Sequence, residues 1–469
     1  MKKRYKNNSE GKDSVRKFEE LLKNGDAIFF DVNTYEYIIR HFIEFGKFKK
    51  ALTACQIAIS QYPFSADLLI LHAQILIKKE HFDDALEALK QAELFQPNDT
   101  EIILLKANVY IQKEEFEEAI EFLNGQLPLV EEKDEIYYAI GLAYQESEFV
   151  EIAIEYYQKA LEHNLNNEEA LYDLAFCLDL LGKLEESISY YQKFIDNDPY
   201  SYYAWYNMGI VYYKLGKFQE AISAYEYATA INEEFSSAWF NLGNCYLNLN
   251  DFDKAVECYT KTLELEDPNP ETYSTIAQCY EKMGKYGTAI ELYRKATKID
   301  SLFGEAWYGL GKCLDMQDKS FEAIHFFKKA IKLDKENPDY WKGLAMAEYK
   351  TGNIVSCMEA YEEACYLQPD DANLWLDWSY IHFEQGDTEK AIDLIKSGIE
   401  ENPDDALLYY RATVYLINAG NFKEAFNLLE NALILDFEKH TVLFDFFPNS
   451  ETQKALYKII DQFRNRDVQ

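Results

Sequence analysis

The segment AWYNMGIVYYKLGKFQEAISAYEYATAI, residues 204–231, aligns without a gap on AWFNLGNCYLNLNDFDKAVECYTKTLEL, residues 238–265, at an offset of 34. Stepping by 34 in both directions from Ala221 meets Ala51, Ala85, Ala119, Ala153, Ser187, Ala255, Ala289, Ala323, Cys357, Ala391 and Ala425, all small. The column sixteen residues earlier runs Tyr35, Leu69, Ile103, Tyr137, Leu171, Trp205, Trp239, Tyr273, Trp307, Trp341, Trp375 and Tyr409, and so collects five of the 6 tryptophans. Repeats therefore begin at residues 32, 66, 100, 134, 168, 202, 236, 270, 304, 338, 372 and 406, and the twelfth ends at Lys439 with no insertion. A chain with this metre builds one small motif many times over rather than several unrelated domains.

The columns describe two antiparallel helices per repeat. Ala73, Ala107, Gly141, Ala175, Gly209, Gly243, Ala277, Gly311 and Ala345 share one column, as expected where the second helix of a hairpin comes close to the first. Large side chains such as Trp205 and Tyr225 are expected to fill the space around those contacts. Gly46, Gly182, Gly216, Gly284, Gly352, Gly386 and Gly420 fall where positive φ would end the first helix, and Pro63, Pro97, Pro199, Pro369 and Pro403 close the second. Only 10 Pro and 19 Gly in 469 residues also favour helices on short turns over many β-turns.

This pattern of large aromatic, Leu-Gly or Leu-Ala, Tyr, Gly, Ala, Tyr, Ala and Pro resembles the tetratricopeptide repeat. The resemblance covers residues 32–439. It implies an all-α fold, an α-solenoid in which tandem hairpins form a right-handed superhelix whose first helices line a concave groove. Lys106, Gln126 and Pro128 depart from the pattern, so the repeat from 100 to 133 is expected to be the most irregular.

Stacked hairpins need covered ends. Asp13 is placed to begin a helix carrying Val15, Phe18, Leu21 and Leu22, with Ile28, Phe29 and Phe30 leading into the first repeat. Ser450 and Gln453 have capping-box spacing before the stripe Leu456, Ile459, Ile460 and Phe463. The expected organisation is a basic disordered tail over 1–12, an N-terminal capping half-repeat over 13–31, twelve repeats over 32–439, and a C-terminal capping helix and tail over 440–469.

A net charge of −35 argues against binding nucleic acid or anionic lipid, which requires concentrated positive surface. The basic start MKKRYKNNSEGKD precedes no apolar segment of signal-peptide length, and no later stretch approaches a membrane span, so a cytoplasmic protein without membrane insertion is expected.

The eight cysteines contain no C-x-x-C pair. Cys177, Cys245, Cys279 and Cys313 share one column, which separates them by at least a helix spacing of about 8–10 Å, too far for a disulfide or a shared zinc. They read as buried packing thiols, and Cys357 stands in the small-residue column. The seven histidines are His41, His72, His81, His163, His325, His382 and His440, of which His72 and His382 stand on helix-packing positions. No H-E-x-x-H, phosphate-loop or nucleophile-elbow motif occurs, so no enzyme, cofactor or metal is expected.

Recognition then falls to first-helix residues that face no neighbouring helix. The expected partner-binding set is Tyr172, Asp173, Asp179, Tyr206, Asn207, Tyr213, Phe240, Asn241, Asn244, Asn248, Gln278 and Glu281, within a wider inward list that adds Tyr138, Tyr308, Asp315, Tyr349, Asp377, Tyr380 and Tyr410. Amides suit the backbone of an extended chain, Tyr offers a flat face with a polar end, and carboxylates favour Lys or Arg in the guest. Tetratricopeptide co-chaperones grip a C-terminal carboxylate with Lys and Arg, a clamp that the isolated Lys312, Lys342 and Arg411 do not assemble. Asn207 and Asn241 resemble two rungs of the asparagine ladder of O-linked N-acetylglucosamine transferases, but Thr275, Gly309 and Gly343 break it. The expected function is a non-enzymatic scaffold holding a basic or neutral protein segment in its groove, with residues 168–281 as its centre. The alternative is a structural or regulatory subunit that uses convex or terminal surfaces, including the basic start.

Overall fold

The computed structural model describes residues 9–24, 29–446, 454 and 456–461. Twelve helix pairs follow one another from Val32 to Leu435, for example Tyr202–Lys214 with Phe218–Ile231 and Ser236–Asn248 with Phe252–Leu265. No strand occurs among the described residues. The chain forms two compact bodies, Met1–Glu233 and Glu234–Gln469, and each is described by itself. In each, hairpins pack on their sequence neighbours, as in an α-solenoid.

Local chemistry accounts for the regularity. Side chains of Asp31, Ser65, Asp99, Asn167, Ser201, Asn269, Asn337, Asp371 and Asp405 accept backbone N–H groups at the starts of first helices. Every first helix ends the same way. Gly216 at φ 71° donates its N–H to the Tyr213 carbonyl at 3.0 Å, and the Lys217 N–H reaches Tyr212 at 2.9 Å, a Schellman closure. In five repeats that left-handed position is held by Glu80, Glu114, Glu148, Asn250 and Asp318, with φ of 60–66°. The backbone geometry is thus kept even where no glycine relieves the Cβ crowding.

The small column from Ala51 to Ala425 is fully buried in all twelve repeats, Ser187 and Cys357 included. The glycines of the other small column face a ring rather than a helix backbone. A Cβ added to Gly209 would stand 2.6 Å from Cε1 of Tyr225, and one at Gly243 2.7 Å from Tyr259. The Tyr225 ring therefore fills the volume that the missing side chain leaves.

The tryptophan column does something different from core filling. Trp205 Nε1 donates to the Pro199 carbonyl at 3.0 Å, and Trp307, Trp341 and Trp375 make the same bond to Ser301, Lys335 and Pro369 at 2.8–2.9 Å. Tyr409 Oη substitutes with a 3.0 Å bond to Pro403. These half-buried rings pin the connection that enters their repeats, and Trp205 also packs within its own hairpin, stacked on Tyr227 at 4.4 Å.

The second helix of the repeat from 100 to 133 is short, Phe116–Gln126, where most of its counterparts span 14 residues. In the repeat from 168 the second helix is entered through a 3₁₀ turn, Leu184–Glu186. The first described helix is Ser9–Asn24, which includes Asp13 and carries Val15, Phe18 and Leu22. Val15 and Phe18 are buried against Tyr35 and Phe42, Leu22 is 37% exposed, and Phe30 packs edge-on against Tyr35 while Phe29 is exposed. Residues 1–8, Ile28 and the Leu21 side chain lie outside the described residues. After Leu435 come a 3₁₀ turn, Phe437–Thr441, and a short helix, Val442–Phe446. Leu456 and Ile460 are buried and Ile459 packs beside them. Ser450, Gln453 and Phe463 lie outside the described residues.

Candidate functional site

In the body Met1–Glu233, the first helices Glu168–Leu180 and Tyr202–Lys214 bring Tyr172, Asp179 and Asn207 to one cleft of about 160 Å3. Phe176 and Ile210 line it as well, and Tyr172 is 54% and Phe176 44% exposed. Lys214 donates to Asp179 across the cleft. Asp173 accepts a 2.9 Å hydrogen bond from Tyr138 Oη, and burial raises its carboxyl above the usual range against that bond. Tyr206 packs its ring against Tyr225 with centroids 5.8 Å apart, and Tyr213 meets Phe218 edge-on at 5.5 Å.

In the body Glu234–Gln469, Phe240 packs on Tyr259 at 5.4 Å, Asn241 is half-buried, and Asn248 and Gln278 are exposed. Asn248 Nδ2 also donates to the Asn244 carbonyl at 2.8 Å. Asn244 Oδ1 accepts from buried Tyr259 Oη at 2.7 Å. Glu281 accepts from buried Tyr293 Oη at 3.1 Å and forms a 2.8 Å ion pair with Lys312, which leaves its side chain 11% exposed. Gln145 does the same for Tyr157 at 2.8 Å. These polar residues accept hydrogen bonds from core tyrosine hydroxyls, as buried polar groups require.

A second regularity joins neighbouring first helices. Tyr138–Asp173, Lys214–Asp179, Lys350–Asp315 and Tyr349–Glu384 are all bonded pairs 35 residues apart, one repeat plus one position. Asp179 and Asp315 are thereby neutralised from within the chain, as Glu281 is by Lys312. Tyr410 is a correction to the inward list: it is fully buried, and its hydroxyl donates to the Asp436 carbonyl at 2.8 Å. Tyr308 is half-buried against Phe327 and Tyr340. Asp377 is half-buried, and burial raises its carboxyl above the usual range. Arg411 lies between the rings of Tyr380 and Phe446, 5.3 and 4.7 Å from their centroids, so the chain's own segment after the last repeat covers this stretch of first-helix face. Lys342 pairs with Asp371 at 3.3 Å.

Sequence reasoning missed a wide opening in the first body. A cleft of about 910 Å3 lies between the first helices Thr100–Gln112 and Lys133–Glu146 and the connection over 129–132. The connection over 129–132 that lines it follows the shortened second helix and Pro128, the departure visible in the sequence.

All eight cysteines are reduced and buried. Burial pushes the Cys55, Cys245, Cys313, Cys357 and Cys365 thiols up to about 12, and Cys177 and Cys279 to about 11. Among the described residues no group of three or more His, Cys, Asp or Glu is placed to hold a metal ion, and no helix is long and apolar enough to cross a membrane.

Family comparisons agree with this architecture. Tetratricopeptide repeat profiles match residues 42–109, 80–140, 138–202, 202–235, 236–267, 270–301, 304–337 and 372–414. The protein belongs to the tetratricopeptide repeat family, and with it to the class of protein-interaction scaffolds. No curated protein matches the sequence. Solved structures similar to it include Cut9 with Hcn1 from an APC/C hetero-tetramer, at 15% identity over 82% of this chain and 97% of that one, with a TM-score of 0.41. YrrB, described as a TPR protein with an unusual peptide-binding site, is 18% identical over 39% of this chain and 93% of its own, TM-score 0.33. MamA is 19% identical over 35% and 97%, TM-score 0.33.

Proposed function

We propose that this protein is a non-enzymatic cytoplasmic scaffold that holds an extended or helical, basic-to-neutral segment of another protein against its first-helix face. The observation that carries the reading is the cleft where Tyr172, Asp179 and Asn207 meet beside exposed Phe176. An aromatic face, an amide and a carboxylate within one cleft suit the apolar side chains and backbone of a peptide, and a stacked array presents such contacts without first ordering itself. The net charge of −35 supports a guest that is not acidic. Within the second body, Phe240, Asn241, Asn248 and Gln278 offer residues of the same kind on first helices.

The test is Tyr172→Ala with Asn207→Ala. A tagged, folded double variant should lose the partners that the native chain captures from its own cells, and capture by the native chain should weaken at high salt. Wild-type capture by the variant contradicts the placement.

A second reading is favoured by exposed aromatics on second helices. Tyr227, Phe321 and Tyr366 are 55%, 77% and 81% exposed. They suit a subunit that docks through its second-helix face in a larger assembly, and partner loss on Phe321→Ala with Tyr366→Ala alone supports that role.

A further inference from the structure

Two carboxylates of the central first helices are neutralised by lysines of neighbouring repeats, Asp179 by Lys214 and Glu281 by Lys312. The cleft between Thr100–Gln112 and Lys133–Glu146 is different. Asp99, Glu101, Glu131, Glu132 and Glu135 line it, no Lys, Arg or His does, and none of the five is in an ion pair among the described residues. Asp99 caps its own helix through the Ile102 N–H, and Glu101 accepts only a neutral amide bond from Gln74 at 2.9 Å. Apolar side chains of Leu104, Val130, Ala139 and Leu142 line the cleft together with the carboxylates. Leu129 is 56% exposed, an uncovered apolar side chain beside exposed Glu131 and Glu132. Burial first, and then the neighbouring carboxylates with Glu132 foremost, raise the Glu135 carboxyl above its usual range.

We propose that this cleft is the anchor site for a basic amphipathic segment of the partner protein, seating a large apolar side chain on Leu104 and Leu142 with flanking Lys or Arg against Glu131, Glu132 and Glu135. The proposal rests on the scaffold reading and names the chemistry and place of the guest. The apolar lining supplies affinity by burial, and the carboxylates supply selectivity for positive flanks. A cleft of about 910 Å3 has the size of ordinary ligand pockets and accommodates one or two large side chains.

The test uses the full chain at physiological salt and three short fluorescent probe peptides, lysine–leucine, lysine–serine and glutamate–leucine, followed by anisotropy. The lysine–leucine peptide should bind at least about tenfold more tightly than either control. Asn108→Trp, which fills the cleft, and Leu129→Lys, which alters only an exposed rim residue, should each weaken it by about tenfold. Tyr172→Ala with Asn207→Ala should leave it unchanged, so this test and that of the first-helix cleft around Tyr172 fail independently. If Asn108→Trp does not fold, Leu129→Lys decides. No binding of the lysine–leucine peptide to the native chain, equal binding of the lysine–serine peptide, or wild-type affinity in the folded variants would overturn the proposal.

Discussion

Tyr259 on a second helix donates a 2.7 Å hydrogen bond to Oδ1 of Asn244 on the first helix of the same hairpin. The bond ties a fully buried ring to a residue whose sequence position alone suggests recognition. Asn244→Ala removes this bond from the buried phenol and should cost about 1 kcal/mol. Asn248→Ala, one turn on and exposed, should change stability by less than about 0.5 kcal/mol. Urea unfolding of the two variants measures the difference, and equal effects would remove the structural role of Asn244.

The ring over Gly209 makes a second prediction. A Cβ there stands 2.6 Å from Tyr225, whose ring is fully buried, so Gly209→Ala should destabilise the first body by about 1–3 kcal/mol. Glu114→Gly should act oppositely, by about 0.5–1 kcal/mol, because Glu114 holds φ 61° at a turn where glycine is free of Cβ strain. Thermal melts of both variants check the signs.

Burial of the thiols fixes a reactivity and a pH trend. Iodoacetamide should label none of the eight cysteines in the native chain at neutral pH and all of them after unfolding, as read by mass spectrometry. The ordinary thiol value is 9.0, and the folded values of Cys55 and Cys245 rise to about 12. Below pH 9 both states keep the proton. Between 9 and 12 only the folded state does, so stability should fall as pH rises through that window and be fully present below it. A chemical-denaturation series across this range that shows rising stability contradicts the burial.

Asp173 offers a stability–function contrast. Its carboxyl is raised by burial, so charging it opposes folding as pH rises toward neutrality. Asp173→Asn keeps an acceptor for Tyr138 and should raise the unfolding midpoint at pH 7 while weakening partner capture. A variant that is less stable than the native chain would show the charge to be structural.

The period of 34 carries the hairpins, the small column and the turns, because each is set by contacts that recur in every repeat. Five turn positions were hidden, since Glu80, Glu114, Glu148, Asn250 and Asp318 hold the left-handed turn without the glycine that marks it elsewhere. The candidate site was less legible. Inwardness along a first helix separates groove from hairpin, but whether Asn244 or Glu281 is available depends on a tyrosine hydroxyl fifteen or twelve residues away in the second helix. Pairs such as Lys214–Asp179 obey a spacing of 35, which a search for complementary residues one repeat plus one position apart would find. Pro128 pointed to an irregular repeat, yet the cleft beside it requires the placement of two helices.

Hydroxyl-radical footprinting of the native chain with and without its captured partner tests the central claim most directly. Recognition by the first-helix face predicts protection of Tyr172, Phe176 and Phe240, with Tyr227, Phe321 and Tyr366 reacting as in the free chain. Protection confined to Tyr227, Phe321 and Tyr366 would contradict it.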